Sequence, residues 1–304
     1  MKLSFKIYII LLFITAYNSA RAQQQVMYTQ YMFNELAINP AYAGSHKTLS
    51  LTAIAREQWV GLDGAPSTQT ISGHMPIENK NIGVGLMMMY DRIGVTSQTG
   101  VYASSAYKID FDNNLTLSMG LSAGFTYYNA ELSQINSSDV AFANGDVRAT
   151  KPNVGVGFYL SHERFYAGLS SPQILELQFD NDNPDSDSRI ARHYFLTGGY
   201  LFDVSPMVKI KPSTLLKYVQ GAPLNIDLNA TVILQEMFWV GLSWRSFDSF
   251  DGLLQFQATD NLLIGYSYDF LTTSDLKRVN SGSHEIMLNY RFNLGKGKLR
   301  PNYF

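Results

Sequence analysis

Apolar and polar residues alternate one by one along most of this chain. In "NNLTLSMGLSAGFTYY", Leu115, Leu117, Met119, Leu121, Ala123, Phe125 and Tyr127 share one face, and Asn114, Thr116, Ser118, Gly120, Ser122, Gly124 and Thr126 the other. A period of two is the signature of a strand, whose successive side chains point to opposite sides. "NLLIGYSYDF" sets Leu262, Ile264, Tyr266, Tyr268 and Phe270 against Leu263, Gly265, Ser267 and Asp269. "HEIMLNYRFN" sets Ile286, Leu288, Tyr290 and Phe292 against Glu285, Met287, Asn289 and Arg291. The pattern predicts about fourteen strands, near 47–56, 66–76, 80–92, 97–110, 113–129, 150–161, 163–171, 192–202, 206–216, 223–234, 237–246, 250–259, 260–270 and 282–292.

The connections alternate as well. Those after even strands are tight, at or around "PIENK", "DFDNN", "HER", "DVS", "QE" and "TDN"; those after odd strands include the long "AELSQINSSDVAFANGDVRAT" and "SPQILELQFDNDNPDSDSRIA" and a moderate "LTTSDLKRVNS". Short turns at one end, long loops at the other and an even strand count describe an outer-membrane barrel, with short turns and both termini in the periplasm and long loops outside. A secreted β-sandwich also buries one face. Long strands, a second face rich in Gly, Ser, Thr and Asn, and alternating loop lengths favour the barrel. Tyr90, Tyr127, Tyr128, Tyr268, Phe270, Tyr290 and Phe292, near strand ends, are candidates for interfacial girdles.

The amino-terminal "MKLSFKIYIILLFITAYNSARAQQQ" has Lys2 and Lys6, an apolar run from Ile7 to Ala16 and the small-residue site Ala20-Arg21-Ala22. It reads as a secretory leader over 1–22, cleaved before Gln23. Charged residues make up 16% and there are 19 Tyr and 18 Phe, a balance that suits a lipid-facing barrel. No cysteine is present, so disulfides, Cys-ligated zinc and a thiol nucleophile are excluded. A net charge of −2 without a basic segment lacks the footprint of a nucleic-acid binder.

Several motifs carry chemistry elsewhere but not in this setting. "GLSAG", Gly120 to Gly124, matches a nucleophile elbow, yet Ser122 lies inside a long alternating strand. His46, His74, His162, His193 and His284 are scattered singly, without a metal-binding spacing. "DNDNPDSDSR" offers Asp180, Asp182, Asp185 and Asp187 but fails the EF-hand pattern, and "GKGK" lacks the rest of a phosphate loop. No catalytic residue, metal or cofactor is expected. The inward Gly/Ser/Thr/Asn face suits water and shows no clear charged ring.

Before the first strand stands "NPAYAG", Asn39 to Gly44, where proline presets one dihedral and glycine permits positive φ, so it reads as a fixed bend. The segment "YTQYMFNELAINPAYAG", with "REQWVGLDGAPSTQTISGHMPI" after it, resembles the PorP/SprF family of outer-membrane proteins of the Bacteroidota type IX secretion and gliding apparatus. The resemblance covers nearly the whole mature chain. It rests on Asn39, Pro40, Ala41, Tyr42, Ala43 and Gly44 and on Arg56, Gln58, Trp59, Gly61, Gly64, Ala65 and Pro66.

That resemblance implies an all-β transmembrane barrel and a non-enzymatic role: binding or anchoring a large exported adhesin through its C-terminal sorting domain, alongside other secretion components. The organisation read here is a leader at 1–22, an N-terminal segment at 23–46, a barrel at 47–292 and a periplasmic tail at 293–304. The apolar and aromatic "YTQYMF" suits the lumen better than a free tail, so 23–46 is read as a plug; a short amphipathic helix beneath the barrel is the alternative. Asn39, Pro40, Tyr42, Gly44, Arg56, Trp59 and Gly61 are the candidate interaction or plug residues. Trp59 is either an interface anchor or a membrane-interface residue, and Arg56 a partner for Glu285 or Asp227. The alternative function is an outer-membrane pore or small-solute transporter; a hydrolase is the third class.

Overall fold

The computed structural model describes residues 27–46, 48–135, 145–179, 191–271, 281–292 and 303–304. The leader, the acidic 180–189 loop and "GKGK" lie outside them. The strands are β1 (Leu49–Glu57), β2 (Ser67–Pro76), β3 (Ile82–Ile93), β4 (Thr96–Phe111), β5 (Leu115–Ala130), β6 (Val147–Ser161), β7 (Phe165–Ser171), β8 (His193–Tyr200), β9 (Phe202–Ser205), β10 (Val208–Val219), β11 (Asn225–Leu234), β12 (Phe238–Arg245), β13 (Ser249–Gln257), β14 (Leu262–Leu271) and β15 (Ser283–Phe292). β8 and β9 flank Leu201 and both pair with β10, so they form one stave of the wall. Each strand pairs antiparallel with its neighbour, and β1 pairs with β15 from Leu49↔Phe292 to Glu57↔His284. The result is a closed barrel of fourteen staves.

The expected strands are present. One turn moves: "DVS", Asp203 to Ser205, is strand rather than turn, and the connection falls at Pro206 and Met207, where proline's preset dihedral favours the bend. Asn113, Asn114, Gln235 and Glu236 supply the left-handed backbone of tight hairpins. The end that carries the long loops also has two short connections, at Gly94 and Val95 and at Ser246 to Asp248.

Alternation sorts the side chains as the sequence requires. Ile71, Leu86, Leu121, Leu242, Phe250, Phe270 and Ile286 stand outward and exposed, whereas Thr70, Ser72, Ser122, Thr197, Ser243, Ser267 and Asp269 are turned in and buried. An apolar exterior of this kind suits hydrocarbon, and closure leaves no unpaired strand edge within it. No helix among the described residues is long and apolar enough to cross a membrane; strands do the crossing. Tyr128 departs from the girdle expectation: it is buried and stacks on Phe179 at 4.2 Å. It is an even-numbered residue in β5, where odd positions such as Leu121, Phe125 and Tyr127 face out.

Residues 28–43 are almost wholly buried against the inward faces of strands from all round the wall. Tyr28 and Thr29 reach Thr70, Asp269 and Glu285, near the long-loop ends of β2, β14 and β15. Gly44 reaches His74, near the tight-turn end of β2. Tyr303 and Phe304 also lie at the tight-turn end, beside Lys211, Trp239 and Tyr166. The described residues nearest the two termini, Tyr28 and Phe304, therefore sit toward opposite ends of the barrel.

Leu121 stands mid-strand with 67% of its surface exposed. Leu121→Arg is expected to lower the stability of the lipid-inserted barrel by about 2–4 kcal/mol, and Ser122→Ala, on the opposite face, by far less, as read from denaturant midpoints of refolding into vesicles.

Candidate functional site

The N-terminal segment folds as three short 3₁₀ turns, Tyr31–Phe33, Glu35–Ala37 and Pro40–Tyr42. The last begins at Asn39, which is extended and accepts the Ala41 N–H on its own Oδ1 at 2.9 Å, while Pro40 occupies the first position of the turn, where a missing N–H does no harm. Asn39 Nδ2 donates to the Phe158 carbonyl at 3.0 Å, and Ser170 Oγ to the Ile38 carbonyl at 2.6 Å. Gly44 has φ +68°, a conformation glycine adopts without strain, and its N–H donates to His74 Nδ1 at 3.1 Å.

The wall beneath this bend is stripped of side chains. A Cβ on Gly120 would overlap the Pro40–Ala41 backbone, one on Gly83 the Ala43 carbonyl, and one on Gly157 the Asn39 carboxamide. These inward glycines of β3, β5 and β6 form a trough for Asn39 to Gly44. Gly120 belongs to the "GLSAG" decoy, and close backbone approach explains it without catalysis.

A second set of contacts holds the beginning of the segment. Arg56, 2% exposed on β1, lies 2.6 Å from Asp269 Oδ2 and 3.2 Å from Glu285 Oε2, and donates to Thr29 Oγ1 at 2.7 Å. Glu285 accepts the backbone N–H groups of Thr29 and Gln30 at 2.9 and 2.8 Å, and Thr29 Oγ1 donates to Asp269. Arg56 thus takes Glu285, one of its two anticipated partners, and not Asp227. Asp227 pairs with Arg245 at 3.1 Å, and Arg245 also donates to the Tyr28 carbonyl at 3.3 Å.

These groups correct the reading of an inward face without a charged ring. Arg56, Lys211, Lys217, Asp227, Arg245, Asp251, Asp269, Glu285 and Arg291 are all buried. β10 carries Lys211 and Lys217 on its inward face and β15 carries Glu285 and Arg291, while the others are single charges among neutral residues, and only strand register assembles them. Glu35, on the second 3₁₀ turn, faces Lys211, Tyr166 and Tyr159; burial pushes its carboxyl up to about 8, with Lys211 opposing the shift.

The histidines are also not all single. His46 and His74 lie 4.6 Å apart between ring centroids, and the Tyr42 hydroxyl is 2.9 Å from His46 Nε2. Burial, then the neighbouring His74, holds His46 well below its ordinary pKa. The bend at Gly44, which brings residue 46 back over strand β2, was not visible as a histidine spacing.

The candidate residues therefore divide into three places. Asn39, Pro40, Tyr42 and Gly44 fill the glycine trough, and Arg56 grips the segment near the other end of the lumen. Trp59 and Gly61 lie in the β1–β2 loop at the long-loop end, beyond the Arg56 site and far from the trough. Trp59 is partly exposed with φ +49° and donates its N–H to Ser283 Oγ at 3.3 Å; Gly61 is exposed with φ +98°. Residue typing missed Arg245 with Asp227, Lys211 and the trough. The repeated glycines on one face of β3, β5 and β6 were the available signal for the trough.

A profile of the family described as type IX secretion system membrane protein PorP/SprF matches residues 20–290. No curated protein matches the chain. Among solved structures it is similar to the toluene transporter TbuX of Ralstonia pickettii, at 10% identity over 84% of this chain and 92% of that one, with a TM-score of 0.52. It is also similar to the outer membrane protein Omp33 of Acinetobacter baumannii, at 12% identity over 81% and 98%, with a TM-score of 0.47. At such identities the likeness to TbuX is one of fold alone.

Arg56→Met leaves Asp269 and Glu285 buried without their cation. The barrel is expected to lose about 3–5 kcal/mol, read as a fall in its urea midpoint in detergent. Gly120→Val is expected to displace Asn39 to Tyr42 and to speed chymotrypsin cleavage at Tyr31 or Tyr42 about tenfold, equivalent to a local opening easier by about 1.4 kcal/mol.

Proposed function

Because the chain belongs to the PorP/SprF family of type IX secretion system membrane proteins, we propose that this outer-membrane barrel binds or anchors a large exported adhesin-like protein. The adhesin's C-terminal sorting domain is the part it holds, at the long-loop end, which faces the exterior. The barrel works without catalysis, and residues 27–46 plug its lumen.

The observation that carries this reading is the filled interior. Tyr28, Tyr31, Met32, Glu35 and Tyr42 are all buried, and among the described residues pockets adjoin the segment at Phe33, His46 and Arg291 and at Leu36, Tyr102 and Ser122. A lumen occupied in this way favours a rigid mount over a conduit. Hydrogen bonds from Asn39, Thr29 and Arg245 fix the segment to several strands at once, and such fixing stiffens the loop end as a platform.

The test is purification from the native outer membrane in mild detergent, followed by identification of stoichiometric companions. A large exported protein retained through its C-terminal domain, and lost when that domain is removed, is the expected result; a bare barrel would overturn the reading. In planar bilayers the intact protein is expected to conduct little, and a variant lacking residues 27–46 to open steps of pore size. Steady conductance by the intact chain would favour the pore.

A further inference from the structure

The tight-turn mouth holds an arrangement that the plug alone does not require. Lys211 of β10 is 1% exposed, and its ammonium donates to the Tyr303 carbonyl at 2.7 Å. It also lies over three aromatic rings, Phe33 at 4.9 Å, Trp239 at 5.5 Å and Phe304 at 5.8 Å. Phe33 belongs to the N-terminal segment, Trp239 to the wall and Phe304 to the far end of the sequence.

The same two late residues are held from several sides. Tyr303 bonds Glu236 in the β11–β12 turn through its hydroxyl, packs with its ring tilted 5.9 Å from Trp239 and lies under the Lys209 ammonium at 5.1 Å. Phe304 packs 5.2 Å from Tyr166 and against the cluster of Leu36, Ala41, Tyr42 and Ala43. Phe33 in turn meets Trp239 edge-on at 5.5 Å. A buried ammonium among aromatic faces is well stabilised only while its remaining donors find acceptors, and Tyr303 supplies one.

We propose that Tyr303 and Phe304 form a latch: they clamp residues 33–43 from the tight-turn side through Lys211, and the N-terminal segment leaves the lumen only after they have moved. The inference rests on the plug reading. It adds an order of events: the end of the chain releases first and the beginning second. Access to the latch is from the tight-turn side, so release is controlled from the end opposite the long loops.

The absence of native cysteine makes the test direct. Met32, buried and lining the cavity beside Phe33 and Phe304, is replaced by cysteine in the full chain, and the rate of maleimide labelling is measured in detergent. Adding Tyr303→Ala with Phe304→Ala is expected to raise that rate about tenfold, as for a segment whose local opening has become easier. Phe304→Leu, which keeps bulk and loses the ring, is expected to raise it less, and serves if the double variant does not fold. Labelling of the folded variants within about twofold of the parent would overturn the latch. Fast labelling of the parent itself would instead sink the plug reading, so the two failures are told apart.

Discussion

Inside a bilayer an unpaired backbone amide has no water to turn to, and that constraint organises everything else in this protein. It is met at one seam, where the first strand hydrogen-bonds the last over nine residue pairs, Leu49–Glu57 against His284–Phe292. Once that seam closes, each side chain of the wall faces either lipid or lumen. The outward choice is simple, and any apolar residue serves. The inward choice is demanding, because buried polar groups need partners.

The N-terminal segment meets that demand in two physically different ways. Around β1, β11, β12, β14 and β15 it is held by charge, with Glu285 chelating two successive backbone amides and Arg56 and Arg245 balancing the carboxylates. Around β3, β5 and β6 it is held by shape, in a trough where glycine lets backbone approach backbone. Charge fixes the beginning of the segment and shape its end. A paired interior charge is a matter of specificity more than stability, since its desolvation offsets much of the attraction. The trough contributes close packing at no such cost.

The barrel itself was legible because its signal is local and repeated. Alternation in stretches such as Leu115 to Tyr127 states which face each residue takes, and the run of tight turns states the pairing. What escaped was whatever depends on register between distant strands. Arg56 could be matched to a lumen carboxylate but not to Asp269 in preference to Asp227, and Arg245 gave no sign of its role. His46 and His74 meet because the chain bends at Gly44. Tyr303 and Phe304, read as part of a tail, pack beside the cation–aromatic cluster around Lys211, whose members come from four separate stretches of sequence.

The contacts of Thr29 with Glu285 and of Gln30 with Glu285 span more than 250 positions of sequence. Bringing such separated residues together carries a large loop-closure entropy, and proteins dominated by distant contacts fold slowly. Thr29 and Gln30 precede every strand in the sequence, yet the carboxylates that hold them, Asp269 and Glu285, lie on the final two staves. Assembly of this barrel is therefore a problem of storage in time: an aromatic, amide-rich stretch has to be kept soluble and unpaired until the last hairpin arrives to receive it.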